Sequence, residues 1–432
     1  MRTLKESNVS FIGRIPENWV VGKVKFYYDL QTGFTPDTKI EKYYSNNGEG
    51  FDWVTIADIP KVKIISNQTL SQISKKYIDE KHPIATPKGS LLYSFKLSIG
   101  QVAFTDREIY TNEAIASFLP NDKVSLDYLY YSSSLIVNNS QENIYGAMLL
   151  NQDLIRKAVV PIPPLAEQKQ IATYLDARCS KIDGAIAQRK AIIEKLKEYK
   201  SAVITKAVTK GLNPDIEMKD SGIEWIGQIP KTSIVKRIKN IVAITDGTHD
   251  TPEYVEPNDL SFPLVTSKCI TDGKVVVEEA KHISKADYDE INKRSLVCIY
   301  DIIMPMIGTV GNPAFLTKEP KFAIKNVALL RSNGNKTLGK YLWYCLCSSL
   351  AKTQFVFYNN GGVQQFITQD KIKNLRFVIH SDINAIVSYL DARCSKIDEA
   401  IEKQEQAVAK LEEYRKSIIY YAVTGKIDCR DI

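Results

Sequence analysis

The ten residues Tyr174-Leu-Asp-Ala-Arg-Cys-Ser-Lys-Ile-Asp183 return without a change from Tyr389 to Asp398, 215 residues further on. In a chain of 432 residues, an identical decapeptide half a length away marks an internal duplication, so the chain has to fold as two related parts. The echo extends both ways at almost the same offset. Downstream, Ala185-Ile186, Leu196, Tyr199 and Ala207-Val208-Thr209 recur as Ala400-Ile401, Leu411, Tyr414 and Ala422-Val423-Thr424. Upstream, Ile12-Gly-Arg-Ile-Pro16 recurs as Ile226-Gly-Gln-Ile-Pro230, Gly33 matches Gly247, and Asn112-Glu-Ala114 is echoed by Asn326-Val-Ala328. The order of parts is A-B-A′-B′.

The B parts read as long helices. Pro161-Ile-Pro-Pro164 stops regular structure, and proline is tolerated at a helix start but not inside one, so Leu165 is a predicted first residue. From 165 to about 208 there is no proline and a single glycine, Gly184. A heptad fits, with Leu175, Ile182, Arg189, Leu196 and Val203 at one core position and Cys179, Ile186, Ile193 and Lys200 at the other. The second copy supplies Leu390, Ile397, Gln404, Leu411 and Ile418, with Cys394, Ile401, Val408 and Arg415. The long polar interruptions fall at the same heptad places in both, as expected of one template used twice and packed against itself. Each rod would be roughly 65 Å long at about 1.5 Å per residue. The first copy is basic, with ten Lys/Arg against five Asp/Glu over residues 165–212, and the second is acidic, with eight against ten over 382–432. Pairing them is electrostatically sensible, although each exposed pair contributes little.

The A parts are short apolar or aromatic runs punctuated by Gly, Asn and Pro, the texture of short strands, a few helices and long loops. Strands are predicted at Trp53-Val-Thr-Ile56, Leu91-Leu-Tyr-Ser-Phe95, Pro263-Leu-Val-Thr-Ser267, Lys274-Val-Val-Val277 and Ser295-Leu-Val-Cys-Ile-Tyr300. Length favours two or more domains. The balance of 57 Lys+Arg against 50 Asp+Glu permits a nucleic-acid partner without requiring one. Seven scattered cysteines with no Cys-x-x-Cys pair make neither a disulfide framework nor a zinc site. The N-terminal residues lack an apolar signal core, and the most apolar run, near 295–308, is broken by Asp301. A reduced, cytoplasmic protein with no membrane span is expected.

Catalytic signatures are missing. An adenine methylase needs an Asn-Pro-Pro-Tyr/Phe element for the flipped base, and Asn312-Pro-Ala-Phe315 has alanine in place of the second proline. No Gly-x-x-x-x-Gly-Lys-Ser/Thr loop exists for a translocating ATPase, and Glu198-Tyr-Lys200 lies on the heptad helix, where it reads as surface charge. The four histidines, His82, His249, His282 and His380, are too dispersed for a metal cluster.

Pro163-Pro-Leu-Ala-Glu-Gln168, leading into Ile171-Ala-Thr-Tyr-Leu-Asp176 and Lys181-Ile-Asp183, resembles the helical region of the specificity subunits of type I restriction-modification systems. The resemblance covers essentially the whole chain, including both Ile-Gly-x-Ile-Pro openings. In the second lobe Thr245-Asp-Gly-Thr-His-Asp-Thr-Pro252, Val265-Thr-Ser-Lys268, Ile283-Ser-Lys-Ala-Asp-Tyr288 and Met306-Ile-Gly-Thr-Val-Gly311 are similar to a common type of target recognition domain. In the first, Gly33-Phe-Thr-Pro36, Trp53-Val-Thr55, Ile99-Gly100 and Asn112-Glu-Ala114 fill the equivalent places. One departure is plain: Ile379-His-Ser-Asp-Ile383 replaces the Pro-Pro-Leu-x-Glu-Gln start at the second helix.

The resemblance implies an α+β fold. Two similar mixed α/β target recognition domains, 1–164 and 213–381, would be separated by two long antiparallel helices, 165–212 and 382–432, a coiled-coil spacer in a pseudo-two-fold internal repeat. It implies a non-catalytic subunit whose lobes each read one half of a bipartite, asymmetric target on double-stranded DNA. Two methyltransferase subunits, with or without restriction subunits, would dock on it, and the methyl donor and ATP would be bound by those partners, leaving no cofactor here. Candidate DNA contacts are Thr32, Gly33, Thr35, Lys39, Lys96 and Ser98 in the first lobe. In the second they are Thr248, His249, Thr251, Tyr254, Ser267, Lys268, Thr309 and Lys325. The plainer reading is that Gly33 and Gly247 supply turns and that His249 caps a loop. Helix pairing and partner docking fall to Leu175, Cys179, Ile182, Ile186, Ile193 and Leu196 and to Leu390, Cys394, Ile397, Ile401, Val408 and Leu411. The competing function is a coiled-coil scaffold whose lobes bind proteins; DNA binding through phosphates would instead weaken steeply with salt.

Overall fold

The computed structural model describes residues 2–45, 48–60, 63–65, 69–96, 98–142, 148–308, 310–358 and 366–430, with the backbone alone at 141, 142, 148 and 149. The chain divides into two compact units, Met1–Gln188 with Ala407–Ile432, and Arg189–Gln406. The two long helices run Leu165–Lys210 and Ile383–Val423. Where the sequence suggests four consecutive segments, 1–164, 165–212, 213–381 and 382–432, the packing runs across them and each unit takes part of both helices. The reason is apolar burial. In the first unit Trp19, Tyr93, Phe118 and Tyr128 form one core with Leu175 and Cys179 of the first helix and with Ala422 and Val423 of the second. In the second unit Tyr341, Cys345 and Phe377 are packed with Ile204, Ala207 and Val208 and with Leu390 and Cys394.

Each lobe is built on one strand plan. In the first unit a sheet runs Leu30–Thr32, Ile115–Phe118, Leu91–Ser94, Val102–Thr105 and Ile64–Ile65. In the second unit its counterpart runs Ile244–Asp246, Val327–Leu330, Ile302–Pro305 and Ala314–Phe315. Beside each lies a second sheet holding a parallel pair: Phe51–Val54 with Tyr110–Thr111, and Phe262–Val265 with Ala323–Ile324. The duplication read from scattered letters is thus a duplication of topology. The predicted strand over Ser295-Leu-Val-Cys-Ile-Tyr300 is not formed. Ser284 caps a helix over Lys285–Ser295, and the strand begins only at Ile302. Between them the buried Asp301 carboxylate accepts the amides of Cys298 (3.0 Å) and Ser332 (2.8 Å), holding this apolar stretch as a loop.

The prolines that open the first helix have a substitute at the second. Asp382 accepts the Ala385 amide at 3.0 Å, an N-terminal cap that does the work of a proline start. Two residues of the Pro-Pro-Leu-Ala-Glu-Gln stretch also have structural duties. Glu167 accepts Trp19 Nε1–H at 3.0 Å and pairs with Arg2, while Gln168 bridges the Ser125 amide and the Pro163 carbonyl.

Helix pairing is antiparallel in both units. In the first, Arg415 is paired with Asp183 at 2.8 Å. In the second, Lys200 is paired with Asp398 at 2.7 Å and Arg189 donates to Gln404 Oε1 at 2.8 Å. Every polar interruption of the heptad therefore has a partner on the facing helix. Of the predicted seam, Ile182, Ile186 and Val408 are buried together with Ile418, and Ile193 and Ile397 are buried as well. Leu175, Cys179, Leu390 and Cys394 are buried in the lobe cores, and Leu196, Ile401 and Leu411 are half-buried. Residues so enclosed serve packing within a unit rather than docking of an outside partner, a correction to their second expected role.

One tyrosine in each lobe ties the strand that precedes one long helix to the C-terminal end of the other. Tyr128 shares its hydroxyl between the carbonyls of Pro161 and Val423, both at 3.0 Å, and Tyr341 does the same with Val378 (2.6 Å) and Val208 (3.5 Å). Both phenols are buried, and burial pushes their pKa far up, so they remain donors at any accessible pH. Tyr128→Phe should leave buried carbonyls short of a donor and lower unfolding free energy by about 1–3 kcal/mol, measured by urea titration. Loss below the low end of that range would show the carbonyls to be satisfied without the phenol.

Candidate nucleic-acid interface

The matching glycines mark a framework position common to both lobes. A Cβ on Gly33 would come to 1.8 Å from the Thr111 carbonyl oxygen, and one on Gly247 to 2.2 Å from that of Ile324. Neither glycine is required for a positive φ; both are required because one backbone presses on another. The Phe34 amide donates to Thr111 O at 2.9 Å, and the Thr248 amide to Ile324 O at 3.0 Å, so each loop is hung from the parallel strand pair by the same bond. What hangs from this frame differs between the lobes.

In the first lobe Thr35 donates its hydroxyl to Glu113, and Lys96 lies 3.7 Å from the same carboxylate. The Thr35 hydroxyl first, and Lys96 after it, hold Glu113 below the usual carboxylate range against partial burial. Thr32 ends its strand opposite Ala116, Lys39 is exposed with its amide on Asp37, and the Ser98 carbonyl accepts the Ser94 hydroxyl. Thr35 and Lys96 are therefore brought together through an acid that the sequence reading did not select. Glu113 was visible only as the changed centre of Asn112-Glu-Ala114, which returns as Asn326-Val-Ala328.

The second lobe gathers more of its candidates. Lys325 donates to the Thr251 hydroxyl, and the Lys325 amide donates to Val265 O at 2.9 Å. A cavity of about 610 Å³ is lined by Tyr254, Ser267, Lys268 and Lys325 together with Lys281 and Asn326. Lys281 stands 4.3 Å from the Tyr254 ring centroid, a cation over a π face. Thr309 lies outside the described residues.

His249 is held on both ring nitrogens. Nε2 is 2.9 Å from Asp246 Oδ2, and Nδ1 is 2.8 Å from Asn326 Oδ1. Asp246 is buried and also accepts Arg294 at 2.7 Å from the helix Lys285–Ser295. With an acceptor at each nitrogen the imidazolium is the better fit. The Asn326 bond first and the Asp246 bond second raise the His249 pKa, against small losses from burial and Arg294. Asn326 itself adopts a left-handed backbone (φ 55°) to present its side chain. Asp246, Arg294 and Asn326 went unselected because acids and amides in loops carry no signal until their partners are known.

With these geometries in hand, the relatives of the chain can be named. Residues 16–198 match the family model described as the type I restriction modification DNA specificity domain. A type I restriction enzyme specificity subunit of Methanocaldococcus jannaschii, MjaIX, is 25% identical over 98% of this chain and 96% of its own length. Over nearly its whole length the chain is thus similar to a type I restriction enzyme specificity subunit. A second relative, the EcoBI specificity subunit of Escherichia coli, is 22% identical over 99% of this chain and 90% of its own. A solved chain from work on the assembly and conformational transition of a type I R-M system superposes with a TM-score of 0.67 at 16% identity, covering 96% of this chain and 99% of that one. Among the described residues, no helix is long and apolar enough to cross a membrane.

The second lobe should be pH-dependent. His249 has a raised folded pKa, so its contribution to loop stability is complete below the ordinary imidazole pKa and is lost as pH rises through the folded value. An NMR titration of the ring should place that value above 6.5, and Asp246→Asn should bring it down. A value at or below that of free imidazole would contradict the two-acceptor arrangement.

Proposed function

We propose that this chain reads DNA sequence for a type I restriction-modification complex, each lobe taking one half of a bipartite, asymmetric target. It is the recognition subunit, and methyl transfer, with its methyl donor, and ATP use belong to partner subunits. One observation carries the reading: the same backbone frame, Gly33 on Thr111 and Gly247 on Ile324, presents unlike side chains in the two lobes. A duplicated frame with different reading groups suits two different half-sites. Lys268 and Lys325, on one cavity with Tyr254, have the donors to meet base edges or phosphates in the groove. Methylome sequencing of cells carrying the chain with its methyltransferase tests this. Lys268→Ala should relax one half-site, at a cost of about 1–3 kcal/mol in discrimination, and leave the other half-site unchanged. Relaxation of both halves together, or of neither, would argue against one lobe per half-site.

Partner docking is assigned to the outer helix face rather than to the seam. Of the identical decapeptide, Leu175, Asp176, Cys179, Ile182 and Asp183 have internal duties: core packing, the pair with Arg415, and for Asp176 a 2.6 Å bond from Tyr131. The twins repeat them, Asp391 accepting Tyr344 at 2.6 Å. That leaves the exposed Ala177, Arg178, Ser180 and Lys181, repeated as Ala392, Arg393, Ser395 and Lys396, with the half-buried Tyr174 and its exposed twin Tyr389 one turn away on the same helix face. Exposed residues that stay identical while their surroundings diverge are explained by the same partner met twice, which supports two methyltransferase subunits. Tyr174, Arg178, Lys181 and Arg430 line a cavity of about 490 Å³ in the first unit. Arg178→Glu with Arg393→Glu should abolish co-purification of the methyltransferase while leaving thermal unfolding of the chain unchanged. Retention of the full complement of partner would remove this face from consideration.

A further inference from the structure

A second cluster of cations lies in the second unit, outside the recognition loops. The strands Ile234–Arg237 and Arg376–Ile379 pair antiparallel, with Arg237 directly opposite Arg376. Like charges facing each other across a strand pair are unfavourable. Lys236, the next residue on the strand, adds a third cation, and these residues together with Asn240 and Ser221 line a cavity of about 420 Å³ beside the turn 221–223. Among the described residues, no carboxylate lies within ion-pair distance of Lys236, Arg237 or Arg376. The neighbouring Asp220 carboxylate accepts the Gly222 amide at 2.9 Å.

The internal twin shows what the fold itself needs at these places. In the first unit the equivalent pair, Val20–Lys23 with Val159–Ile162, puts Lys23 opposite Val159 and has Gly22 where the second has Lys236. The same strand pair thus forms with one cation in place of three. The excess charge is not a requirement of the β pairing, and unbalanced it works against the pairing.

We propose that this cleft binds a phosphate of the DNA backbone, a contact that positions the second lobe without reading sequence. Two opposed arginines on an open polar cavity, with a lysine next in the strand, supply the donors and charge a phosphodiester takes, and its charge relieves the opposed arginines. The proposal rests on DNA being the ligand of the chain.

The test is a salt series of fluorescence anisotropy with the full-length chain and a labelled duplex of random sequence. Arg237→Gln with Arg376→Gln should weaken binding roughly tenfold and reduce the slope of log affinity on log salt by about 0.9, one phosphate contact. Thermal stability should hold or rise, because a repulsion has been removed. A variant with Arg237→Lys and Arg376→Lys, which keeps the charge, should keep the slope. An unchanged slope in the glutamine variant overturns the proposal. So does inorganic phosphate stabilising only the native chain while DNA binding is untouched, which would make the cleft a free-anion site. Loss of methyltransferase co-purification with normal DNA binding also overturns it, pointing to an acidic protein segment. Half-site preference in the assembled complex is read separately: if it is absent in the native complex the reading of DNA sequence fails, whereas a slope that ignores the arginines fails the cleft alone.

Discussion

The arrangement of this chain depends on how its two long helices find one register. Apolar heptad positions alone would tolerate sliding, since one isoleucine replaces another at a shift of seven. The polar interruptions do not tolerate it. Arg415 needs Asp183, Lys200 needs Asp398, and Arg189 needs Gln404. Any slip leaves these groups half-buried without partners, and polar groups in a coiled-coil seam are known to fix pairing in this way. The first two pairs are the same pair seen twice through the duplication, and the third joins a residue to its own counterpart. Register is therefore set by few interactions that contribute little to stability individually, while the lobe cores supply the burial.

On that base, each lobe separates what holds from what reads. The holding parts are alike: a glycine pressed on a carbonyl, a parallel strand pair, a buried tyrosine shared between backbone carbonyls. The reading parts are unlike. The first lobe sets Thr35 and Lys96 around Glu113, and the second sets His249, Lys325 and Lys268 around Asp246, Asn326 and an open cavity. A fold so divided can change its target by altering loops without disturbing its helices. The unlike cations at the foot of the second lobe, Arg237 and Arg376 against Lys23 and Val159, extend the same division to the strands that leave and re-enter the spacer.

Much of this was legible in the letters, and the reasons are physical. Repeats, proline stops and heptads are properties of sequence spacing, so the helices at Leu165–Lys210 and Ile383–Val423 were accessible from spacing alone. Framework glycines were accessible because only one residue type fits under a carbonyl. What the letters could not convey was pairing at long range. Glu113 beneath Thr35, Asp246 beneath His249 and Arg376 opposite Arg237 are ordinary charged residues until the chain returns them to each other. The failed strand at 295–300 has the same origin. Its apolar letters satisfy a strand pattern, and only the buried Asp301 carboxylate, accepting amides from two separate loops, decides otherwise. Seam residues near the lobes, Leu175 and Cys179 with Leu390 and Cys394, fit the heptad and yet are buried in lobe cores, because a helix face can be continuous while its neighbours change.

The way the units are threaded bears on how the chain is made. The second unit, Arg189–Gln406, is one uninterrupted stretch, whereas the first takes Ala422, Val423 and Cys429 from the far end of the chain into its core. A ribosome delivers the first lobe early but withholds its closing helix until the whole second unit has been made. The lobe that is translated second is the one that can mature first, and the other must wait, with part of its apolar floor uncovered, for Ala422, Val423 and Cys429 to arrive.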